Sequence, residues 1–185
     1  LDAWVTSGDV PPPSSHPRLD DGTAVLPETL VSMVQAIPGV NFPEHLRRLF
    51  RFDFGSVDGV ITKFPPVIGN PYPNFVSRVD QDGNEVAGIR LPDIEVPLAT
   101  HCGWNLRHPN TGGAGQTIGL SGSTIPFPVT EAERKEAGDP RLSIEERYVN
   151  KQGYLDRVQL AAEALVNQGY LLPEDIATVS QDADE

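Results

Sequence analysis

The chain is organised around residues 80–107, which read DQDGNEVAGIRLPDIEVPLATHCGWNLR. An Asp-Gly turn at residues 82–83 stands between two segments rich in apolar residues, 75–79 and 86–91. Because Asp-Gly readily adopts the positive φ angles that tight hairpin turns need, this arrangement predicts a β-hairpin. The same stretch ends in a Gly-Trp-Asn-Leu-Arg segment, and it contains no complete catalytic constellation.

Prolines are concentrated in the first two thirds of the chain, where 16 of the 18 precede residue 129. This distribution predicts loops and short strands there, with few long helices. Apolar alternation predicts one strand over residues 46–54 and a second over 57–67. Residues 94–98 alternate as well, but Pro92 and Pro97 restrict them to a sheet edge or an extended loop.

The last third of the chain has helical spacing instead. Capping residues and apolar periodicity predict helices over 130–138, from 143, over 155–169 and over 173–179, followed by a frayed tail at 181–185. A further short helix is predicted over residues 26–37, beginning at Pro27. No internal repeat is visible.

Length and charge limit the class of function. At 185 residues and 20.1 kDa, one domain with a real core is expected. A formal charge of −12 argues against a nucleic-acid or anionic-membrane surface, since both need concentrated Lys and Arg. No apolar run approaches the roughly 18 residues of a membrane-spanning helix. We therefore expect a small-molecule or protein partner.

The beginning of the chain has the pattern of a helix already under way. Leu1, Trp4 and Val5 fall on one face, Gly8 suits a helix end, and three prolines at 11–13 predict a stiff linker. The chain resembles a piece of something longer, and truncation, processing and partial coverage are equally open explanations.

Two groups of residues could be considered as metal ligands, and neither has the spacing of a metal site. Asp80, Asp82 and Asn84 match the first, third and fifth positions of a calcium loop, but glycine stands at position four and Leu91 at position twelve, so a plain hairpin turn is preferred. The histidines lack the paired spacing of a metal site: His16, His45, His101 and His108. We predict no metal and no cofactor.

Nucleophile patterns are also incomplete. His101 adjoins the single cysteine, Cys102, but neighbouring side chains in an extended segment point to opposite sides, so a thiol–imidazole pair is not favoured. Ser121 and Ser123 only loosely match the Gly-X-Ser-X-Gly elbow, and Pro126 forbids the helix that must follow it. No catalytic residue is assigned.

Trp104, Asn105 and Arg107 are the candidate substrate-binding residues. A Trp, an amide and a guanidinium after extended chain supply an apolar wall with directional donors, the mixture that lines ligand pockets. A second interpretation stays open, in which Trp104 fills the core and Arg107 pairs with a carboxylate.

A family resemblance adds to these patterns. Its motifs are GIRLP at 88–92, VPLAT at 96–100 and GWNLR at 103–107, with others in order: LDAWV at 1–5, PPP at 11–13, PRL at 17–19, IPGV at 37–40, IPF at 125–127, GDPR at 138–141, EERY at 145–148 and LLPED at 171–175. Together they resemble the carboxy-terminal region of bacterial alpha/beta hydrolase domain-containing proteins. The resemblance covers nearly the whole chain.

The resemblance implies an α+β accessory region of an α/β-hydrolase, with short strands and a hairpin first and helices last. Residues 1–13 would end a core helix and its linker. Residues 14–185 would form the accessory region, with a strand and loop part at 14–128 and a helical part at 129–180. The implied parent is a soluble serine hydrolase of small ester substrates, whose catalytic Ser and His lie upstream. The alternative is a non-catalytic binding or interaction module.

Overall fold

The computed structural model describes residues 2–44 and 46–185, so the predictions that involve Leu1 and His45 lie outside the described residues. The described part contains seven α-helices and six short strands. In chain order these are α1 (Asp2–Ser7), β1 (Ala24–Val25), α2 (Glu28–Gln35), β2 (Phe50–Asp53), β3 (Val67–Pro71), β4 (Val76–Ser77), α3 (Pro92–Glu95), β5 (Ala99–Cys102), β6 (Ser123–Pro126), α4 (Glu131–Ala137), α5 (Ile144–Arg147), α6 (Lys151–Gln168) and α7 (Ile176–Asp184).

The strands form three separate antiparallel pairs: β1 with β4, β2 with β3, and β5 with β6. All six strands precede residue 129, and four of the seven helices follow it. The predicted mixture of short strands first and helices last is thus confirmed. None of the described helices is long and apolar enough to cross a membrane.

The predicted hairpin is only half correct. The turn forms: the Asp80 N–H donates to the Asn84 carbonyl at 2.8 Å, and Gly83 adopts a φ of +80°. The two predicted arms do not pair as a hairpin. β4 pairs with the distant β1, residues 86–91 form no strand, and only the single bridge between Val79 and Glu85 joins the two sides of the turn. The local pattern therefore fixed the turn, whereas a long-range pairing decided the strand partner.

Three other strand predictions need correction. Residues 57–67 do not form a strand up to Val67, because the N–H groups of Thr62 and Lys63 both donate to the Phe54 carbonyl and close a turn. The strand predicted over 46–54 is confirmed only for β2, and its partner β3 begins at Val67. Residues 94–98 are not uniformly extended, since Pro92 stands in the first turn of α3, a position that tolerates its missing N–H.

The helices follow their sequence signals closely. Thr130 and Ser143 each begin a capping box with the glutamate three residues later, which starts α4 and α5. Gly169 ends α6 in the left-handed conformation at a φ of 81°. Residues 181–184, for which fraying was predicted, continue α7 to Asp184, where Lys151 contacts both the Asp184 carbonyl and, at 2.9 Å, the Asp184 carboxylate.

Two apolar clusters form the core. The first packs α2 and the turn after it against β5 through Leu30, Val34, Ile37, Val40 and Cys102. The second packs α6 against Val96 through Tyr148, Tyr154 and Val158. The Tyr148 hydroxyl donates to the Pro97 carbonyl at 2.9 Å, and burial raises the pKa of Tyr148 to about 12.

A buried arginine joins the helical part to the strands. Arg141 pairs with Asp139 at 2.6 Å, and its Nη1 donates to Thr100 Oγ1 at 2.8 Å and to the Ile125 carbonyl at 3.0 Å. Burial would raise the pKa of Asp139, but the hydrogen bonds from Arg141 outweigh it and hold the pKa below its usual range. Removing either charge would leave the other buried and unpaired.

A second arginine reinforces this connection. Arg147 forms a bidentate ion pair with Asp82 in the turn, one bond measuring 2.7 Å, and its guanidinium lies 4.2 Å from the centre of the Phe127 ring. Arg141 lies over the same ring at 5.0 Å. Phe127 is thus covered by two cations, of which Arg141 bonds to β5 and β6 and Arg147 bonds to the turn. Together they connect the turn at residues 80–84 to β5.

Candidate functional site

A cavity of about 280 Å³ lies beside Trp104. Its wall is mostly apolar, and the lining comes from five separate parts of the chain: Leu30, Phe42, Pro43, Leu46, Val76, Ser77, Val79, Gly83, Glu85, His101, Gly103, Trp104 and Thr117. An apolar wall with a few polar groups is the composition of a ligand site. We therefore take this cavity, the Trp104 cavity, as the candidate functional site.

Trp104 is held as a wall by contacts on its other sides. Its indole Nε1 donates to the Asn41 carbonyl at 3.0 Å, and its ring meets Phe42 edge to face with centroids 5.5 Å apart. The indole N–H is therefore already satisfied, and Trp104 offers a ligand its ring surface rather than a hydrogen-bond donor.

His101 is placed by the buried side chain of Asn84. Asn84 Nδ2 donates to the Ala99 carbonyl at 3.0 Å, and its Oδ1 accepts from the His101 N–H at 2.8 Å. Thr100, the intervening residue, points to the opposite side of β5 and donates its hydroxyl to the Asp82 carbonyl. The turn is thereby bonded to β5, with His101 lining the cavity.

Gly83 allows the turn to approach β5 so closely. A Cβ atom at this position would lie 2.8 Å from Ile37 Cδ1 and 2.9 Å from Thr100 Cγ2, and the backbone has a positive φ. Both facts disfavour any other residue. The Asp-Gly dipeptide that signals a hairpin in the sequence therefore also serves to position the cavity.

Four polar side chains line the cavity: Ser77, Glu85, His101 and Thr117. Within the described residues, none of these side chains forms a hydrogen bond or ion pair with another residue. No Lys or Arg belongs to the lining. Among the residues that the structure describes, the lining thus combines uncommitted hydrogen-bonding groups with one carboxylate and has no Lys or Arg to balance an anionic ligand.

Asn105 and Arg107 lie next to the cavity rather than in its lining. The Asn105 carbonyl accepts from the Ile118 N–H at 2.8 Å, and the Arg107 N–H donates to the Gln116 carbonyl at 2.9 Å. These bonds hold Thr117, which does line the cavity, beside Trp104. The Arg107 side chain is exposed. That Trp104, Asn105 and Arg107 contact a substrate stays a prediction.

Cys102 does not form a reactive pair with His101. It lies in the first apolar cluster, on the opposite side of β5 from His101, and burial raises the pKa of its thiol. A raised pKa keeps the sulfur protonated and poorly nucleophilic at neutral pH. The interpretation of Cys102 as a small buried residue agrees with these facts.

The serines near the glycine-rich segment also lack a base. Ser123 Oγ donates to the Trp104 carbonyl at 2.7 Å, and Ser123 begins β6, an antiparallel strand with no helix directly after it. Across residues 2–44 and 46–185, no hydrogen bond joins a Ser, Thr or Cys side chain to a histidine ring. The described part therefore supplies no nucleophile and base pair.

The residues of the calcium-loop pattern have other roles. Asp80 Oδ1 accepts from two N–H groups of the turn at 3.0 Å, and its Oδ2 contacts Arg90 at 3.0 Å. Asp82 is paired with Arg147, and Asn84 is buried. Among the described residues, no group of three His, Cys, Asp or Glu side chains is placed to hold a metal ion.

Sequence reasoning missed most of the cavity. Trp104 was identified from the polar and aromatic segment around it, whereas Ser77, Glu85 and Thr117 carry no local signal of a shared site. They meet only because β4, the turn and the segment after Gln116 converge on β5. Local patterns do not report such long-range pairings.

Comparison with known proteins gives one result. Searches of curated proteins and of solved structures found no match. A family model described as "Alpha/beta hydrolase domain" matches residues 1–181, nearly the whole chain. The chain therefore belongs to the alpha/beta hydrolase domain family.

Proposed function

We propose that this chain is the carboxy-terminal part of a serine α/β-hydrolase that cleaves ester bonds, with the catalytic Ser and His upstream of residue 1. The observation that carries the proposal is the family match over residues 1–181. It is combined with the lack of a hydroxyl and imidazole pair in the described residues. A serine hydrolase also presents its nucleophile on a strand-to-helix elbow, and β6 is followed by no such helix.

The mechanism proposed for the parent is acyl transfer through serine. An activated hydroxyl attacks the ester carbonyl, a histidine takes the proton and returns it to the leaving alcohol, and an acid orients the histidine. Backbone N–H groups stabilise the oxyanion. None of these roles is assigned to a residue of this chain.

This chain would contribute support and part of the substrate pocket. Residues 1–13 would end the core helix and linker, and residues 14–185 would be the accessory region. The ion pairs of Arg141 and Arg147 connect its helices to β5 and to the turn beside the Trp104 cavity. Trp104 would form the wall, with Asn105 and Arg107 beside it. The partners are the rest of the hydrolase and a small ester.

Covalent labelling tests this proposal. A fluorophosphonate probe reacts with activated serines, so we expect it to label a longer product of the gene at a serine upstream of residue 1. The 185-residue chain should stay unlabelled, and a peptide map by mass spectrometry identifies the site. Labelling of Ser121 or Ser123 in the chain alone would overturn the proposal.

A second candidate function is a non-catalytic binding or interaction module. It is favoured by residues 46–72, here called the arm, which carry eleven exposed large apolar side chains. The arm carries four basic and two acidic residues, in a chain whose net charge is −12. If no strand-to-helix serine turn is encoded upstream of residue 1, this module becomes the better proposal.

A further inference from the structure

We infer that the Trp104 cavity binds a small uncharged group with a single ring and one alcohol or ester oxygen. This inference rests on the proposed function, because it names the part of an ester substrate that the chain would recognise. It follows from the volume, the wall, the uncommitted polar groups and the charge of the cavity.

The volume limits the size of the ligand. An apolar cavity of about 150 Å³ is large enough to hold benzene. The Trp104 cavity, at about 280 Å³, accepts one ring with a few further atoms. A group of three or more fused rings or a long alkyl chain would extend out of it.

The wall favours an aromatic ring. Trp104 and Phe42 already meet edge to face, so a ligand ring on the indole surface continues an aromatic cluster. Leu30, Val76 and Val79 complete the apolar surface. Because the indole N–H is bonded to Asn41, the wall itself adds no donor.

The polar groups limit the charge of the ligand. The hydroxyls of Ser77 and Thr117 and the His101 ring can each donate to or accept from an oxygen of a ligand. A carboxylate would lose its hydration beside Glu85 with no cation in the described lining, which is costly. Glu85 is itself exposed, so solvent screens its attraction for an amine. A neutral alcohol or ester satisfies the cavity best.

Binding of benzyl alcohol, benzoate and benzylamine to the whole chain tests the inference. The chain has two tryptophans, so a ¹H–¹⁵N spectrum shows two indole signals, and Trp104→Phe assigns them. We expect benzyl alcohol to shift the Trp104 signal saturably, with a dissociation constant on the order of 1 mM for so small a ligand. The signal of Trp4 should not move, since Trp4 lies in α1, outside the lining.

Two variants separate specific binding from general adhesion to apolar surface. Val79→Phe fills the cavity and should abolish the saturable shift. Thr117→Val keeps the shape of this exposed side chain and removes one hydroxyl. It should weaken the binding of benzyl alcohol by about threefold to tenfold, because one hydrogen bond is lost. If Val79→Phe fails to fold, the weaker binding expected for Thr117→Val is the result that tests the inference.

The inference is overturned if benzyl alcohol gives no saturable shift of the Trp104 signal. It is also overturned if the shift survives in the folded Val79→Phe variant, or if Thr117→Val binds benzyl alcohol as tightly as the unchanged chain. Tighter binding of benzoate or benzylamine than of benzyl alcohol would overturn it as well. The readout needs no turnover. Failure of ring binding is therefore distinct from failure of the hydrolase proposal, which shows as missing serine labelling in the longer protein.

Discussion

The helical part from Thr130 onward and the arm at residues 46–72 use their apolar residues in opposite ways. The helical part buries Tyr148, Val158 and Leu165, and Tyr148 and Val158 share one apolar cluster with Val96 from outside that part. The arm has alternating apolar residues and forms β2 and β3, yet it buries none of its large apolar side chains. The comparison shows that apolar periodicity selects the type of element, whereas burial requires a second surface.

The difference has a consequence for stability. A pair of strands with neither face covered is marginal by itself. Helices that pack an apolar face and carry satisfied caps are stabilised by both features. Substitutions should therefore be costly in and around the helical part and nearly neutral in the arm.

The largest effect is expected at the connection between the helical part and β5. Arg141→Met should lower the free energy of unfolding by about 3–5 kcal/mol, because it leaves the Asp139 carboxylate buried without a partner. Urea denaturation measures the change. Arg107→Met, at an exposed arginine, is the matched control and should change stability by less than about 0.5 kcal/mol.

A loss below about 1 kcal/mol for Arg141→Met would contradict the buried pair. Adding Asp139→Asn to the variant should recover part of the loss, since the unpaired charge is removed. The double variant thereby separates the cost of a buried charge from the loss of packing on Phe127.

Two leucines on α6 provide the next largest contrast. Leu165 is 6 % exposed and Leu160 is 64 % exposed. Leu165→Ala should cost about 2–5 kcal/mol through lost burial and a cavity, whereas Leu160→Ala should cost less than about 0.5 kcal/mol. Thermal or urea unfolding of both variants checks this, and equal losses would show that α6 packs through a different face.

A pH titration examines the caps of the helical part. Hydrogen bonds from the Ser143 backbone, from Arg134 and from the Ser143 side chain lower the pKa of Glu146 to about 2. Because the pKa of Glu146 is lower in the folded state, its charge contributes to the free energy of unfolding. This contribution is fully present above the unfolded-state pKa near 4.5 and is lost as the pH falls towards 2. Unfolding followed between those pH values should show this decline.

Glu146→Gln is the matched variant for that titration. Glutamine retains the hydrogen-bonding geometry of the capping box without a titrating group. Its stability should depend less steeply on pH than that of the unchanged chain. Identical slopes for both proteins would remove Glu146 as the cause.

The smallest effect is expected in the arm. Phe52 is 52 % exposed in β2, so Phe52→Ser should change the free energy of unfolding of this chain by less than about 0.5 kcal/mol. Urea denaturation checks it beside Leu165→Ala. A loss comparable to that of Leu165→Ala would mean that the arm is buried in solution.

The helices were predictable because their signals are local. Thr130 with Glu133, Ser143 with Glu146, and Gly169 each define a helix end within a few residues. The exception was the tail, which remains helical to Asp184. Ala183 packs there against the second apolar cluster, and Lys151, more than thirty positions earlier, contacts Asp184. A contact of that range leaves no trace in the local pattern.

The strands and the cavity were less predictable for the same reason. The turn at Gly83 was identified, but the pairing of β4 with β1 joins residues about fifty positions apart. Arg141 gave no sign in the sequence that it is buried, because arginine is usually exposed. Trp104 could be selected from its residue type, but the polar groups that share its cavity could not.

Hydrolysis of p-nitrophenyl acetate tests the central claim most directly, namely that this chain recognises part of an ester while the catalytic residues lie elsewhere in the protein. The 185-residue chain should show no turnover above buffer, and a longer product of the gene that contains the upstream serine should show turnover. Turnover by the chain alone that is lost in Ser123→Ala or His101→Ala would contradict the account.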